Sequence, residues 1–253
     1  MEHHKIALVT GANKGIGYAI ARQLAEHGFM VLLGARDLQR GEAAARTLGA
    51  PARAIQLDVT SKDSIAAAAA RIIAEFGRLD VLVNNAGIAR AQPAGAAAAG
   101  LDQIRRSGAP SSAALADVRA VFETNVFGVI AVTQAMLPLL RKSPEGRIVN
   151  VSSGLGSLST ATGLNGPQRG IGGVAYGPSK TALNAVTVAF AQELEGTAIK
   201  VNAACPGFTA TDINGHSGPR SVEQAAREPV RLAMLPAEGP SGTLSNDEGR
   251  IAW

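Results

Sequence analysis

Several features are scarce in this chain, and each scarcity argues against a class of protein. The 253 residues include a single cysteine, Cys205, so no disulfide can form within the chain and a reducing, cytoplasmic setting is expected. That cysteine and the four histidines form no group with the spacing of metal ligands, so no bound metal is expected. Aromatic residues make up 4% of the chain, and no run of Lys and Arg exceeds two residues. The net charge of +4 therefore does not predict nucleic-acid binding, and an anionic small ligand accounts for it as well.

Long apolar runs are also missing. No stretch approaches the roughly 18 consecutive apolar residues of a membrane span. A strand pattern already begins near Lys5, which leaves no room for the apolar part of a signal peptide. We therefore expect neither a membrane anchor nor a membrane partner. Apolar residues still make up 46% of the chain, which is enough to build a core.

The order of the predicted elements is that of an α/β protein. A strand at 6–9, a glycine-rich turn, a helix at 15–26 and a strand at 30–35 form the start of a parallel βαβ unit. The alternation continues with predicted strands at 53–57, 81–84, 147–151 and 200–204, and with helices at 61–76, up to about 140, and at 176–195. Nearly continuous apolar strands are typical of a sheet that is covered on both faces. We predict one α/β domain over residues 1–253, built on a Rossmann-type doubly wound parallel sheet.

Three stretches interrupt this rhythm. They cover residues of about 89–110 and 154–174, and an irregular region that starts at Pro206 and includes about 208–240. Each follows a predicted strand, at the carboxyl edge of the sheet where such folds bind their ligands. Loops of this length usually have a role, so we expect these three to form the substrate pocket.

The first turn has the composition of a phosphate-binding loop. Gly11, Gly15 and Gly17 follow a strand and open a helix, and such glycines permit a tight turn and the close approach of a pyrophosphate. The helix N-terminus adds free N–H groups and the positive end of a dipole. An ordinary strand–helix loop is the alternative, but the βαβ context favours a dinucleotide.

The end of the second predicted strand indicates which dinucleotide binds. A site for NAD usually has an acidic residue there to bind the ribose hydroxyls. This strand ends in Arg36, whose guanidinium can bind a 2′-phosphate with two hydrogen bonds. Lys14 in the glycine turn could approach the same phosphate, although either side chain alone could be a solvated charge. The pair favours NADP(H), and we expect the neighbouring Asp37 to point to solvent.

Tyr176 and Lys180 are the candidate catalytic pair. They are four residues apart on a predicted helix and so share one face. A nearby ammonium favours the phenolate and should lower the tyrosine pKa, so that the phenol gives a proton to a carbonyl oxygen near neutral pH. Ser152 and Ser153 end a strand, where a hydroxyl could bind the substrate oxygen, although two serines there could equally be turn residues. No histidine and acid are placed to make either serine a nucleophile.

In combination these motifs resemble those of the classical short-chain dehydrogenases/reductases, and within them the carbonyl reductase branch. The matching motifs occur in family order over residues 5 to about 212: Thr10-Gly11-Ala12-Asn13-Lys14-Gly15-Ile16-Gly17, Asn84-Asn85-Ala86-Gly87, Asn125, Ser153, Tyr176-x-x-x-Lys180 and Pro206-Gly207. The resemblance implies an enzyme that transfers a hydride from NADPH to the carbonyl carbon of a ketone, aldehyde or quinone. Tyr176 would be the acid, and Ser153 would orient the oxygen.

The same resemblance implies roles for individual residues. Gly11, Gly15 and Gly17, with Asn13 and Ile16 between them, form the pyrophosphate turn, and Lys14 and Arg36 bind the 2′-phosphate. Around the rest of the cofactor, the implied contacts are Asp58 and Val59 with the adenine, Asn85, Ala86 and Gly87 with its ribose, Lys180 with the nicotinamide ribose, Thr209 with the carboxamide and Thr211 with the pyrophosphate. Asn125 interrupts a helix and holds a water for proton relay.

Two other interpretations stay open. A secondary-alcohol dehydrogenase would run the same chemistry in the oxidative direction, which depends on cofactor ratios in the cell. A regulator that senses NADP without turnover usually lacks the tyrosine or the lysine, and this chain keeps both. The segment from Ser153 to Tyr176 is about ten residues longer than is typical of the family. A longer insertion there accompanies monomers in the carbonyl reductase branch, but this shorter, glycine-rich one leaves monomer or homo-oligomer undecided.

Overall fold

We describe the fold from a computed structural model that covers residues 4–91, 108–161 and 173–253. Within these ranges eight strands form one sheet in the order β3-β2-β1-β4-β5-β6-β7-β8. The strands are β1 Ile6–Thr10, β2 Met30–Ala35, β3 Ala52–Gln56, β4 Val81–Asn84, β5 Arg147–Val151, β6 Lys200–Ala204, β7 Leu244–Asn246 and β8 Gly249–Ile251. All neighbours pair in parallel except β7 and β8, which form an antiparallel edge. This confirms the predicted doubly wound sheet.

Helices cover both faces of the sheet. They are α1 Gly15–Glu26, α2 Leu38–Leu48, α3 Lys62–Phe76, α4 Leu115–Phe122, α5 Gly128–Leu140, α6 Leu158–Ala161, α7 Tyr176–Glu193 and α8 Val222–Ala233, with a π-helical turn, Glu123–Phe127, between α4 and α5. The strand order reverses between β1 and β4. At such a switch point the loops that follow the strands diverge and leave a crevice for a ligand.

The core has two layers because successive strand residues point to opposite faces. Val9 and Val83 lie in the cluster that includes residues of α1 and α8. Leu8 and Leu82 lie in the cluster that includes residues of α3 and α5. Both layers are apolar, which explains the continuous apolar runs of the central strands.

One polar chain crosses this apolar interior. Asn84 on β4 lies opposite Asn150 on β5 and donates through Nδ2 to the Asn150 Oδ1 at 2.9 Å. The same Nδ2 donates to Thr133 on α5 at 3.1 Å, and the Asn150 Nδ2 donates to Thr187 on α7 at 2.8 Å. These buried hydrogen bonds therefore join two neighbouring strands to two helices, α5 and α7, that pack on the same face of the sheet.

Most element limits agree with the sequence prediction, and some do not. The helix predicted at 61–76 is present, and Ser61 caps it by accepting from the N–H of Ser64. The irregular region expected after Pro206 is wrong in part, because it contains α8 and the β7–β8 hairpin. Pro229 lies inside α8, and because a proline within an apolar pattern normally ends or kinks a helix, it works against predicting one there. The prediction also missed α2, and the parts of the expected substrate loops at 92–107 and 162–172 lie outside the described residues.

One helical stretch, Leu115–Leu140, is long and apolar enough to cross a membrane by length and composition alone. It spans α4, the π-helical turn and α5. Its residues Val132 and Met136 are fully buried in the core, and α5 packs against α3. The core helix of a soluble protein passes the same test, so the expected absence of a membrane span stays a prediction.

Candidate active site

The glycine turn after β1 is packed directly against the segment that follows β4. Gly11 has a φ of +64° and Gly15 a φ of +59°, which L side chains rarely adopt. A Cβ on Gly17 would lie 2.4 Å from the Asn85 Nδ2 and 2.5 Å from the Gly11 carbonyl oxygen. The turn therefore requires glycine at these positions.

The N-terminus of α1 has the properties of an anion site. The N-cap residue, Lys14, makes no side-chain capping bond, and the first turn of α1 contains no acidic residue. Neither a cap nor an acidic side chain therefore binds the free N–H groups of the first turn. A Cβ on Gly15 would meet nothing within 4 Å. The buried Thr211 Oγ1 has no hydrogen-bond partner among the described residues. Free N–H groups, open space and an orphaned hydroxyl fit the pyrophosphate of a dinucleotide. Asn13 and Ile16 are partly buried in the same turn.

The charged residues near the expected 2′-phosphate differ in availability. Arg36 is exposed and makes no ion pair within the described part of the chain. Asp37 caps α2 by accepting from the Arg40 N–H at 3.2 Å, and its side chain is 52% exposed, which agrees with the expected solvent orientation. Lys14 is paired with Asp212, a partner the sequence did not predict.

Asp212 has two basic neighbours. The hydrogen bond from Lys14 is the main cause of its lowered pKa. His216, whose φ of +60° lies in the left-handed region, contacts the other carboxylate oxygen at 2.8 Å. These exposed contacts connect the segment after β6 to the glycine turn.

The segment after β4 lies between the glycine turn and the catalytic pair. The Thr10 Oγ1 accepts from the N–H groups of Asn85 and Ala86, both at 2.9 Å. The Asn85 Nδ2 donates to the Thr10 carbonyl at 2.9 Å and to the Gly11 carbonyl at 3.2 Å. A Cβ on Gly87 would lie 3.5 Å from the Lys180 Nζ, so this short segment leads from the phosphate turn to the lysine.

Asp58 and Val59, the expected adenine contacts, follow β3. The Asp58 carboxylate is bound locally, because its Oδ1 accepts from the N–H of Thr60 at 2.9 Å and from its hydroxyl at 2.7 Å. Val59 is buried, and a Cβ on Gly128 at the start of α5 would lie 2.8 Å from its carbonyl oxygen. Their contact with adenine stays a prediction.

Tyr176 and Lys180 open α7 and share one face, as predicted. The Lys180 Nζ lies 5.7 Å from the centre of the Tyr176 ring and donates to the Val151 carbonyl at 2.8 Å. Burial lowers the pKa of Lys180 from 10.5 to about 8. Burial also raises the pKa of Tyr176 from 10.0 to about 12, although a hydrogen bond with Ser153 lowers it. The expected lowering of the tyrosine pKa is therefore wrong for this structure, because desolvation of the phenolate outweighs the favourable contacts.

Ser153 lies where β5 ends, and its loop is close to Cys205. The Ser153 Oγ accepts from the Leu155 N–H at 3.2 Å, which leaves the hydroxyl proton free to donate. The Cys205 Sγ accepts from the Gly154 N–H at 3.1 Å. Cys205 is buried, and no local pattern in the sequence indicates its contact with the serine loop.

Asn125 is fully buried in the π-helical turn, which confirms that it interrupts a helix. Its Oδ1 accepts from the Ile88 N–H at 2.9 Å, and its Nδ2 donates to the Ile88 carbonyl at 2.8 Å. The Nδ2 also donates to the Ser179 hydroxyl at 3.0 Å, which itself donates to the Tyr176 carbonyl at 2.7 Å. The side chain therefore fixes the start of α7, and the water relay stays a prediction.

The segment after β6 folds back on itself. Gly207 has a φ of +74°, and the buried Thr209 donates through Oγ1 to the carbonyls of Pro206 at 3.3 Å and Gly207 at 3.2 Å. The Thr209 side chain is thus occupied locally. The expected contact of Thr209 with a nicotinamide carboxamide would therefore come from its backbone, and it stays a prediction.

Comparison with known proteins identifies the class that this fold and site define. The short chain dehydrogenase family model matches residues 5–221. The chain is 37% identical to (-)-isopiperitenone reductase of Mentha piperita, covering 95% of this chain and 96% of the relative. It is 36% identical to carbonyl reductase [NADPH] 1 of Sus scrofa, covering 98% and 94%. Salutaridine reductase of Papaver somniferum has a similar structure, with a TM-score of 0.79 at 31% identity over 96% of this chain and 100% of that one.

The chain therefore belongs to the short-chain dehydrogenase family. Its relatives include carbonyl reductases and plant reductases, which agrees with the carbonyl reductase branch named from the motifs.

Proposed function

We propose that the protein uses NADPH to reduce the carbonyl group of a small organic molecule to an alcohol. One observation carries this proposal: Ser153, Tyr176 and Lys180 lie together beside Gly87, at the end of the segment after β4 that packs on the glycine turn. The family membership and the names of the relatives support it.

Each side chain of the site has its own role in the proposed reaction. Bound NADPH would supply the hydride for the carbonyl carbon. The Ser153 hydroxyl donates a hydrogen bond to the carbonyl oxygen and stabilises its developing charge. Tyr176, kept protonated by a pKa of about 12, transfers its proton to that oxygen as the alcohol forms. Lys180 is charged below about pH 8 and stabilises the phenolate that remains.

The preference for NADPH rests on the end of β2. Arg36 is exposed there, while the Asp37 carboxylate is engaged as the cap of α2 and in an ion pair with Arg40 at 3.4 Å. No acid at this strand end is therefore available to bind ribose hydroxyls as in an NAD site. When NADPH binds, Lys14 gives up its ion pair with Asp212 and binds the 2′-phosphate together with Arg36.

The substrate class is an uncharged ketone, aldehyde or quinone. Relatives are named as reductases of isopiperitenone and salutaridine. In the expected substrate loops, the apolar side chains of Leu158, Phe208 and Ile213 are exposed. Apolar side chains that are left exposed in such loops suit an apolar ligand.

A substrate panel tests the reaction. Purified protein with NADPH and a set of ketones, aldehydes and quinones should lose absorbance at the nicotinamide band. Tyr176→Phe should abolish this loss and leave NADPH binding nearly intact, whereas Tyr18→Phe, at the chain's other tyrosine, should keep the activity. NADPH binding without turnover of any compound would favour a sensor over an enzyme.

A second test addresses the cofactor. Arg36→Ala should weaken binding of NADPH far more than binding of NADH, because only NADPH carries the 2′-phosphate. Arg46→Ala, at an exposed arginine in the last turn of α2, is the matched control and should change both affinities little. Equal weakening of both cofactors by Arg36→Ala would mean that the arginine does not bind the phosphate.

A further inference from the structure

The catalytic face of α7 continues one turn beyond the lysine. Tyr176, Lys180 and Asn184 follow at intervals of four residues, so they share one face of the helix. All three contact the chain around the end of β5. Ser153 lies close enough to Tyr176 to lower the pKa of its phenol, Lys180 donates to the Val151 carbonyl, and Asn184 accepts from the Ser152 hydroxyl.

Asn184 holds the serine loop at two points. Its Oδ1 accepts from the Ser152 Oγ at 2.6 Å, and its Nδ2 donates to the Gly156 carbonyl at 3.0 Å. These contacts lie one residue before and three residues after Ser153. The side chain is buried, with 4% of the residue exposed, so both hydrogen bonds are shielded from water.

The loop is tightly packed on the same side. A Cβ on Gly156 would lie 2.7 Å from the Lys180 carbonyl carbon and 2.8 Å from its oxygen. The loop backbone thus contacts the helix backbone beside Lys180. The two hydrogen bonds of Asn184 fix the position of the loop along the axis of α7. An amide suits this place because it accepts from a hydroxyl and donates to a carbonyl, whereas a carboxylate has no donor and leucine has neither group.

We propose that Asn184 is a positioning residue for Ser153: by bonding to Ser152 and Gly156 it sets the place of the Ser153 hydroxyl relative to the Tyr176 phenol. This inference rests on the proposed carbonyl reduction. Asn184 acts through Ser153 and leaves cofactor binding unchanged. Because a displacement of about 1 Å in a catalytic group can lower a rate by up to about 100-fold, loss of the two bonds should act mainly on kcat.

The test compares two buried polar residues of α7. Asn184→Leu should lower kcat by about tenfold or more and leave the Kd for NADPH within about twofold of the parent value. Thr187→Val, which removes a contact to Asn150 away from the serine loop, should leave kcat nearly unchanged. In a Ser153→Ala background, Asn184→Leu should have no further effect on kcat. Equal losses of kcat in Asn184→Leu and Thr187→Val would overturn the proposal. So would a loss of kcat from Asn184→Leu that is as large in the Ser153→Ala background as in the parent protein.

A measurement without turnover separates this inference from the proposed function. Amide hydrogen exchange at Leu155 and Gly156 should be faster in Asn184→Leu and unchanged in Thr187→Val. Unchanged exchange in Asn184→Leu would refute the positioning role even where carbonyl reduction is established. Faster exchange in a protein that reduces no carbonyl would refute the proposed reaction and, with it, the catalytic purpose of Asn184. Ser152→Ala removes one of the two bonds with a smaller change in volume and should act in the same direction where Asn184→Leu does not fold.

Discussion

Replacement of Lys180 by methionine should make the free protein more stable and inactive. Burial lowers the pKa of this lysine from 10.5 to about 8. A tenfold change in a protonation equilibrium corresponds to about 1.4 kcal/mol, so keeping the ammonium charged at pH 7 costs the folded state about 3 kcal/mol. Loss of its hydrogen bond to the Val151 carbonyl removes about 1 kcal/mol. We therefore expect Lys180→Met to raise the free energy of unfolding by about 2 kcal/mol at pH 7.

The pH dependence of this difference follows from the direction of the pKa change. The folded-state pKa lies below the unfolded value, so the cost is fully present below about pH 8 and disappears as the pH rises towards 10.5. The stability advantage of Lys180→Met should therefore shrink by about 2 kcal/mol between pH 7 and 9.5. Tyr176, whose pKa is raised to about 12, acts with the opposite sign only above pH 10, outside this window.

Urea unfolding of the parent and the variant at several pH values between 7 and 9.5, without added nucleotide, measures the difference. Lys142→Met, which removes an exposed lysine, is the matched control for the loss of a lysine side chain. A constant difference for Lys180→Met over the same range would refute the reasoning, because it would mean that the lysine titrates alike in the folded and unfolded states.

Three further substitutions test other parts of the structure. Gly17→Ala should lower the free energy of unfolding by about 2 kcal/mol and weaken NADPH binding, because its Cβ would overlap the Asn85 side chain. An unchanged melting temperature would contradict that close approach. Thr211→Val removes a buried hydroxyl that has no partner among the described residues, so stability in urea should be kept or improved, while calorimetry should detect weaker NADPH binding. Unchanged affinity would mean that the hydroxyl does not face the dinucleotide. Ser61→Ala should reduce stability by about 1 kcal/mol through loss of the α3 cap and Ser61→Asp should restore most of it, whereas equal stability of all three proteins would exclude a capping role.

The sequence predicted features whose residues are close together in the chain. The glycine turn lies within eight residues, and Tyr176 and Lys180 lie on one helical turn, so local spacing already describes their geometry. The contact between Lys14 and Asp212 joins residues 198 positions apart, and no local pattern indicates it. An asparagine in the middle of a helix, such as Asn184, has no signature of its own. The pKa of Tyr176 was predicted in the wrong direction because its value depends on burial, which spacing does not reveal.

The buried hydrogen bonds through Asn84 and Asn150 constrain the register of β4 and β5. In a sheet with one wet face, sliding a strand by one residue turns its apolar side chains towards water and is strongly disfavoured. Both faces of this sheet are apolar, so β4 and β5 would lose less by such a slip. A slip would separate the two amides and leave them without partners in a dry interior, which costs about 1–3 kcal/mol for each group. Two asparagines thus select a single alignment of the central strands, and with it the positions at which Asn85 and Ser153 emerge.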